Sequence, residues 1–537
     1  MRTIEADGTI PGWLDRWARE RPDRLFVWCG DDRLTFDEAL RRASCVASGL
    51  RALGVAPGER IAIICPNRIE MVELFLACPL IGAVQVPLNV YLKGEFLRHQ
   101  LSDCQPSTLI ADEAGLAAAG DMLRALGDLR RIVLLDGSEP PRRLPGTVRI
   151  SRYADLRASP DDLERVVVKP DDLLSIVYTS GTTGSAKGCM LSHGYYARVA
   201  SVPDRMVGLG SRDVIMTALP AFHGAARMMG LGAALREGIS LVLEPAMRST
   251  LLERATETGA TVLLGVAAVA DLLLAQPPAA QDRAHQVRVA IWVPANPEVA
   301  KRIHDRFGFP VVSEAYGQTE CACATSCTPS EPAQPGSAGR VAPQLEMKLV
   351  DDDDREVAVG QVGEILFRPR SRNDMFQGYW RRPEDTLRAF RGLWYHTGDY
   401  GRLAEDGSMF FVDRKKDCMR RRGENISSIE VETAIRRHPK VADVAVHAVP
   451  SPISEDDVKA CLVVLDGQSV EPAELFEFFG KNLPYFAIPR YVEVLGQLPK
   501  NAMNRVMKHV LRDRGVTPQT WDFDALGLVV QRSQRRR

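Results

Sequence analysis

The chain is 537 residues long, and its 68 Lys and Arg nearly cancel 69 Asp and Glu to leave a formal net charge of -1. That length exceeds one ordinary core and predicts a large layered domain with at least one smaller one, while the balanced charge excludes an overall field that would draw nucleic acid or an anionic membrane. The first residues carry no apolar leader, the stretch LFLACPLIGAVQVPLNVY is broken by Pro79, Gln85 and Pro87, and eleven cysteines lack paired spacing, so a soluble, unexported, cytoplasmic protein with no membrane span and no disulfide framework is expected.

From about residue 35 to 136, apolar runs (RIAIICP, VQVPLN, STLIADE, RIVLLD) alternate with helix-like segments such as TFDEALRRASCVASGLRALG. That rhythm predicts an α/β fold, with helices packed on mostly parallel sheets. DDLLSIVYTSGTTGSAKG reads as a further strand running into a Gly/Ser/Thr loop, and ISLVLEP, ATVLLGV and FPVVSEAYG continue the pattern. From about residue 336 shorter strands with Gly turns (EMKLVDDDD, VGEILFRPR, GSMFFVDRKKD) predict a β-rich subdomain. After DRKKD a small α/β unit follows. SSIEVETAIRRHP opens with a capping-box pattern, Ser427 then Glu430, VADVAVHAVP, KACLVVLD and RYVEVL read as strands, and PAELFEFFGKNLP reads as a helix. The closing QRSQRRR reads as a solvated basic tail.

Within TSGTTGSAKG the glycines free the backbone to turn N–H groups toward one point, Thr179, Ser180, Thr182 and Thr183 add hydroxyl donors, and Lys187 adds a charge. That combination is a polyphosphate cradle. No Gly-Lys-Ser/Thr tripeptide ends it, so a P-loop NTPase is not supported. Cys321, Cys323 and Cys327 cluster in CACATSC, but no His or second Cys pair completes a zinc set, and small apolar residues filling buried space suit the same letters.

This loop, with YGQTE (316–320), YHTGD (395–399), DRKKD (413–417), RRGENI (421–426) and LPKNAMNRVMKH (498–509), occurs in the order found in the adenylate-forming enzymes: acyl-CoA synthetases, peptide-synthetase adenylation domains and luciferases. The chain resembles that superfamily from residue 178 to 508, and DRKKDCMRRRGENISSIEVE is nearest in texture to carnitine/crotonobetaine-type acid–CoA ligases. The resemblance implies a large N-terminal domain of stacked sheets (1–412), a hinge (413–417), a small mobile C-terminal domain (418–515) and a tail (516–537). It implies that Thr179, Ser180, Gly181, Thr182, Thr183, Gly184 and Lys187 hold ATP phosphates, with Thr179 and Lys187 also in the catalytic set. Glu320 is implied as the Mg²⁺ ligand, Tyr316, Gly317 and Thr319 as neighbours of the nucleotide, Asp399 and Arg414 at the ribose, Lys416 as the pivot, and His223 beside the acyl group.

Three positions depart from the family pattern. Asn504-Arg505 stands where a Gly-Lys pair is usual; Asn tolerates a left-handed turn, but a planar Arg fork is not interchangeable with a compact Lys charge. Either Arg505 works in the lysine's place, a neighbour such as Lys500 or Lys508 substitutes, or adenylation is lost. Trp292, Val293, Pro294 and Ala295 replace a segment of small residues, so Trp292 and Ala295 are expected to fill or shorten the acyl pocket and favour a small substrate, unless Trp292 packs into the core. Ala186 stands where Pro is frequent. The expected function is an ATP- and Mg²⁺-dependent, AMP-forming ligase that activates a small carboxylate and passes it to CoA. The alternatives are nitrite activation for diazotisation of an aryl amine, amide or carrier-protein ligation, and a non-catalytic nucleotide-binding homologue.

Overall fold

The computed structural model describes residues 8–137, 147–160, 163–179, 186–246, 250–415, 417–421, 424–451, 456–485, 487–500 and 506–529. These divide into two compact units, one of Met1–Met347, Phe367–Tyr395 and Asp406–Phe410, the other of Lys348–Leu366, His396–Glu405 and Phe411–Arg537. The expected α/β class is observed.

In the first unit the short apolar runs become strands buried on both faces, as parallel sheets covered by helices require. One seven-stranded sheet has the order Arg149–Arg152, Arg131–Leu134, Thr108–Ala111, Arg60–Ile64, Val84–Pro87, Leu173–Thr179, Lys187–Ser192. All pairs are parallel except the last, where Lys187–Ser192 turns back as an antiparallel edge strand. The second, also seven-stranded, has the order Val311–Val312, Val289–Trp292, Val262–Gly265, Val214–Thr217, Ser240–Leu243, Leu25–Cys29, Asp32–Thr35. It is parallel apart from the hairpin formed by its last two strands. The helix Phe36–Ala52 starts at a capping box in which Thr35 and Glu38 satisfy each other's backbone N–H groups. Most of the long apolar stretch ends one buried helix, Ile69–Leu80, and forms the strand Val84–Pro87. Among the described residues no helix is long and apolar enough to cross a membrane.

The second unit holds the greater part of a four-stranded sheet, ordered Leu345–Val350, Val362–Pro369, Tyr395–Leu403, Met409–Arg414, which is the expected β-rich texture. Its other sheet has the order Val441–Pro450, Asp456–Val464, Tyr491–Val494, Trp521–Asp522. The helices Ser428–Arg436 and Pro472–Asn482 cover an apolar core that includes Val431, Ile435, Leu475 and Phe479. Ser427 caps the first of these helices by accepting from Glu430 N at 3.3 Å. Residues 516–529 were expected within the tail but are folded: Trp521–Asp522 pairs antiparallel with Tyr491–Val492, Phe523 is buried in the core, and Arg490 grips Asp522 at 3.0 Å. The physical reason is that an aromatic with a facing ion pair closes what would otherwise be an open sheet edge. The sequence QRSQRRR lies outside the described residues.

Candidate active site

Sheet pairing builds the site in the first unit. Strands Leu173–Thr179 and Lys187–Ser192 pair with Thr179 directly opposite Lys187, so the two residues that flank the Gly/Ser/Thr loop face each other at its neck. Ser180, Gly181, Thr182, Thr183 and Gly184 lie outside the described residues. The segment 377–380 lays itself along the free edge of Lys187–Ser192: Gln377 N donates to Met190 O at 2.8 Å, Met190 N to Gly378 O at 3.0 Å and Trp380 N to Gly188 O at 2.8 Å. Cys189 and Tyr379 are bridged as a result. This edge pairing puts the Lys187 ammonium 4.8 Å from the centre of the Tyr379 ring, within the range of a cation–π contact.

Tyr379 also reaches the candidate metal carboxylate. Its hydroxyl donates to Glu320 Oε1 at 2.9 Å, while Phe376 N donates to Glu320 O at 3.0 Å. Glu320 sits in a short turn, Thr319–Cys321, and only 7% of its surface is exposed. Burial holds its carboxyl above the usual carboxylate range, against the Tyr379 hydroxyl, the Cys189 thiol and the Lys187 charge, which all favour the anion. Gln318 accepts from the Tyr395 hydroxyl at 2.8 Å. At Gly317 a Cβ would meet Cys323 N at 2.3 Å, so glycine is what lets the 321–323 backbone pass this close. Tyr316, on the strand Ala315–Tyr316, stacks on Phe367 at 6.2 Å between ring centroids.

Among the described residues no group of three or more His, Cys, Asp or Glu converges as a metal cage, and Cys321, Cys323 and Cys327 form no disulfide. Mg²⁺ asks for less from a protein: it is commonly bound through one or two carboxylates, with substrate phosphates and water filling the rest of its octahedron. A single buried carboxyl beside a lysine, whose anion burial alone disfavours, fits that demand and gains from a neighbouring dication.

His223 keeps an exposed ring, yet the protein around it pushes its pKa below the ordinary value by desolvation. Its Nδ1 accepts from Ala225 N at 3.2 Å, which leaves the proton of the neutral ring on Nε2. Of the two placements left open for Trp292, the structure shows the core: it is 1% exposed, stands edge-on to Phe309 and packs with Leu263, Ile303 and Phe307. Ala295 lies beyond the strand end, and its carbonyl accepts from Ser313 Oγ at 3.4 Å.

The second unit carries the remaining candidates. Asp399 is buried on the strand Tyr395–Leu403, its N–H held by Thr397 Oγ1 at 3.1 Å, and Thr397 in turn donates to Ile365 O at 2.7 Å. Gly398 takes φ 68°, the left-handed region, and donates to Glu364 Oε1 at 3.2 Å. Glu364 also holds Lys415 Nζ at 3.1 Å, and Lys415 N donates to Gly398 O at 2.9 Å, so one buried carboxylate ties the Asp399 turn to the segment that follows Arg414. Burial works against the Glu364 anion, but His396 and Lys415 outweigh it and bring the pKa down to about 2. Arg414 ends the strand Met409–Arg414. Lys416, Asn504 and Arg505 lie outside the described residues. The two cations that could stand in for Arg505 are engaged within this unit, Lys500 with Asp443 at 2.8 Å and Lys508 with Glu432 at 2.8 Å.

Comparison with known proteins adds three findings. The family described as AMP-binding enzyme matches residues 14–380, and the AMP-binding enzyme C-terminal domain matches residues 430–504. The chain is 30% identical over 468 residues to the crotonobetaine/carnitine–CoA ligase of Salmonella heidelberg (strain SL476), covering 86% of this chain and 89% of that protein. Among solved structures it resembles ATP-bound MatB from Rhodopseudomonas palustris (TM-score 0.83, 27% identity, 95% of this chain and 99% of that one). It also resembles the o-succinylbenzoate coenzyme A synthetase MenE from Bacillus subtilis in complex with AMP (TM-score 0.80, 26% identity, 94% and 98%).

Proposed function

We propose that this chain, which belongs to the AMP-binding enzyme family, is an ATP-dependent, AMP-forming ligase that activates a carboxylic acid and transfers the acyl group to CoA. The observation that carries the reading is the cluster of Lys187, Tyr379 and Glu320, in which a cation at the neck of the phosphate loop and a buried carboxyl share one tyrosine. The CoA-ligase names of the relatives support the choice of acceptor.

In the first half-reaction a substrate carboxylate oxygen attacks the α-phosphorus of ATP and pyrophosphate leaves. In the second the CoA thiol attacks the activated carbonyl, loses its proton and expels AMP. Neither step needs a protein nucleophile, since such chemistry is mainly positioning and neutralisation of charge. Lys187 with Thr179 and the loop residues Ser180 to Gly184 would hold the β- and γ-phosphates. Glu320 would hold Mg²⁺, which supplies positive charge against the phosphate oxygens. Tyr316 and Gly317 would border adenine, Asp399 and Arg414 the ribose, and Lys416 would be the pivot of the small domain. Neutral His223, with its Nε2–H available, would line the acyl pocket as a hydrogen-bond donor. Arg505 would bring the cation of the first half-reaction, a reading favoured by the ion pairs that already occupy Lys500 and Lys508. With Trp292 in the core, the acid's size is set by other walls of the pocket.

The test is pyrophosphate release from MgATP with a panel of carboxylates, with and without CoA. Release that requires an acid and yields acyl-CoA supports the reading, and release only with nitrite and an aryl amine would replace it.

A further inference from the structure

A third tyrosine stands behind the turn that carries Glu320. Tyr195 is fully buried; its hydroxyl donates to Thr319 O at 2.8 Å and accepts from Ala322 N at 2.5 Å. One hydroxyl therefore closes the backbone on both sides of Glu320. Arg198, one turn further along the same helix, lies over the Tyr195 ring and donates to Ala322 O. The helix His193–Ala200 begins where the strand of Lys187 ends, and Ser192, the last residue of that strand, caps it by accepting from Tyr195 N at 3.1 Å. Lys187 and Tyr195 thus belong to one continuous strand and helix, one end at the phosphate loop and the other fastened to the carboxylate turn.

We propose that Tyr195 is a positioning residue for divalent-metal-dependent ATP binding, its hydroxyl fixing the Glu320 turn relative to the strand of Lys187. The proposal rests on the reading of Glu320 as the metal ligand. Tyr379 touches the Glu320 side chain directly, whereas Tyr195 acts only through the backbone. Without the hydroxyl, Ala322 N–H and Thr319 C=O, both on half-buried residues, lose these partners, and a backbone that moves to find others takes the carboxylate with it. Groups that orient a metal ligand in this way commonly change metal affinity by 10–100-fold when removed.

Tyr196 supplies an internal control. It is equally buried, and its hydroxyl pairs with Ser175 Oγ at 2.9 Å, away from the turn. The experiment is calorimetric binding of a non-hydrolysable ATP analogue to the full chain, with Mg²⁺ and with a chelator, for wild type, Tyr195→Phe, Tyr196→Phe, Arg198→Gln and Glu320→Gln, alongside melting temperatures. The ratio of the two affinities should be lost in Glu320→Gln, fall about tenfold in Tyr195→Phe, fall less in Arg198→Gln and stay at the wild-type value in Tyr196→Phe. A wild-type ratio in Tyr195→Phe, with Glu320→Gln still deficient, overturns the proposal, as does an equal fall in Tyr195→Phe and Tyr196→Phe. A wild-type ratio in Glu320→Gln overturns the reading of the metal ligand itself, and the proposal with it.

Discussion

Glu320 and Lys187 are brought to one tyrosine, Tyr379, that is distant from both in sequence. Exchanging Glu320 for Gln keeps the shape and the Tyr379 contact but removes the charge, and acid-dependent pyrophosphate release should fall about 10²-fold or more, with little change in melting temperature. Lys187→Met should behave alike, measured as kcat against KM for ATP, with the loss mainly in kcat if the cation serves the transition state. His223→Ala should instead raise KM for the acid and spare ATP binding, because its ring is presented by a local turn and not by the phosphate loop. Lys187 and Glu320 are candidates that the sequence itself offers, since each stands in a short motif of distinctive composition. Tyr195, Tyr379 and Tyr395 are not, although Tyr395 opens one of those motifs. Their roles come from contacts such as the one between positions 320 and 379, which an edge pairing creates and no local pattern announces.

At the level of the element, Trp292 shows what a strand's sequence withholds. Val289–Trp292 is buried at every position, and in a parallel sheet covered on both sides a continuous apolar run does not say which face holds which side chain. Trp292→Ala should therefore cost about 3–5 kcal/mol of stability through the cavity it leaves, and should not widen the range of acids accepted, as chemical denaturation and a substrate panel can show. Glu364 gives a prediction for pH. Its pKa falls from 4.5 in the unfolded chain to about 2 in the fold, so its contribution is complete above about pH 4.5 and is lost as the pH falls through 2. Up to about 3 kcal/mol is at stake. Glu364→Gln should flatten the stability of the second unit over that acid range, followed by circular dichroism, and weaken nucleotide binding by freeing the Asp399 turn.

Across the whole molecule the α/β class, the β-rich part and three strands and two helices of the small unit were readable from periodicity and turn residues, whereas its short helix Lys508–Arg514 and the strand pair Met419–Arg421 with Glu424–Ile426 were not. The closing strand was not, because Trp521–Asp522 is too short to show a period and is held by Phe523 burial and the Arg490 pair. A chain ending at residue 515 should melt at a lower temperature in its second unit than the full chain, as a thermal scan of the two would show. The central claim is that this family member forms an acid–AMP anhydride at a site containing Lys187 and Glu320. It is tested most directly by the exchange of labelled pyrophosphate into ATP, without CoA, across a panel of carboxylic acids. Exchange that depends on an acid and collapses in Glu320→Gln is the result predicted; an enzyme that binds ATP yet exchanges with no acid, or exchanges undiminished in Glu320→Gln, would contradict it.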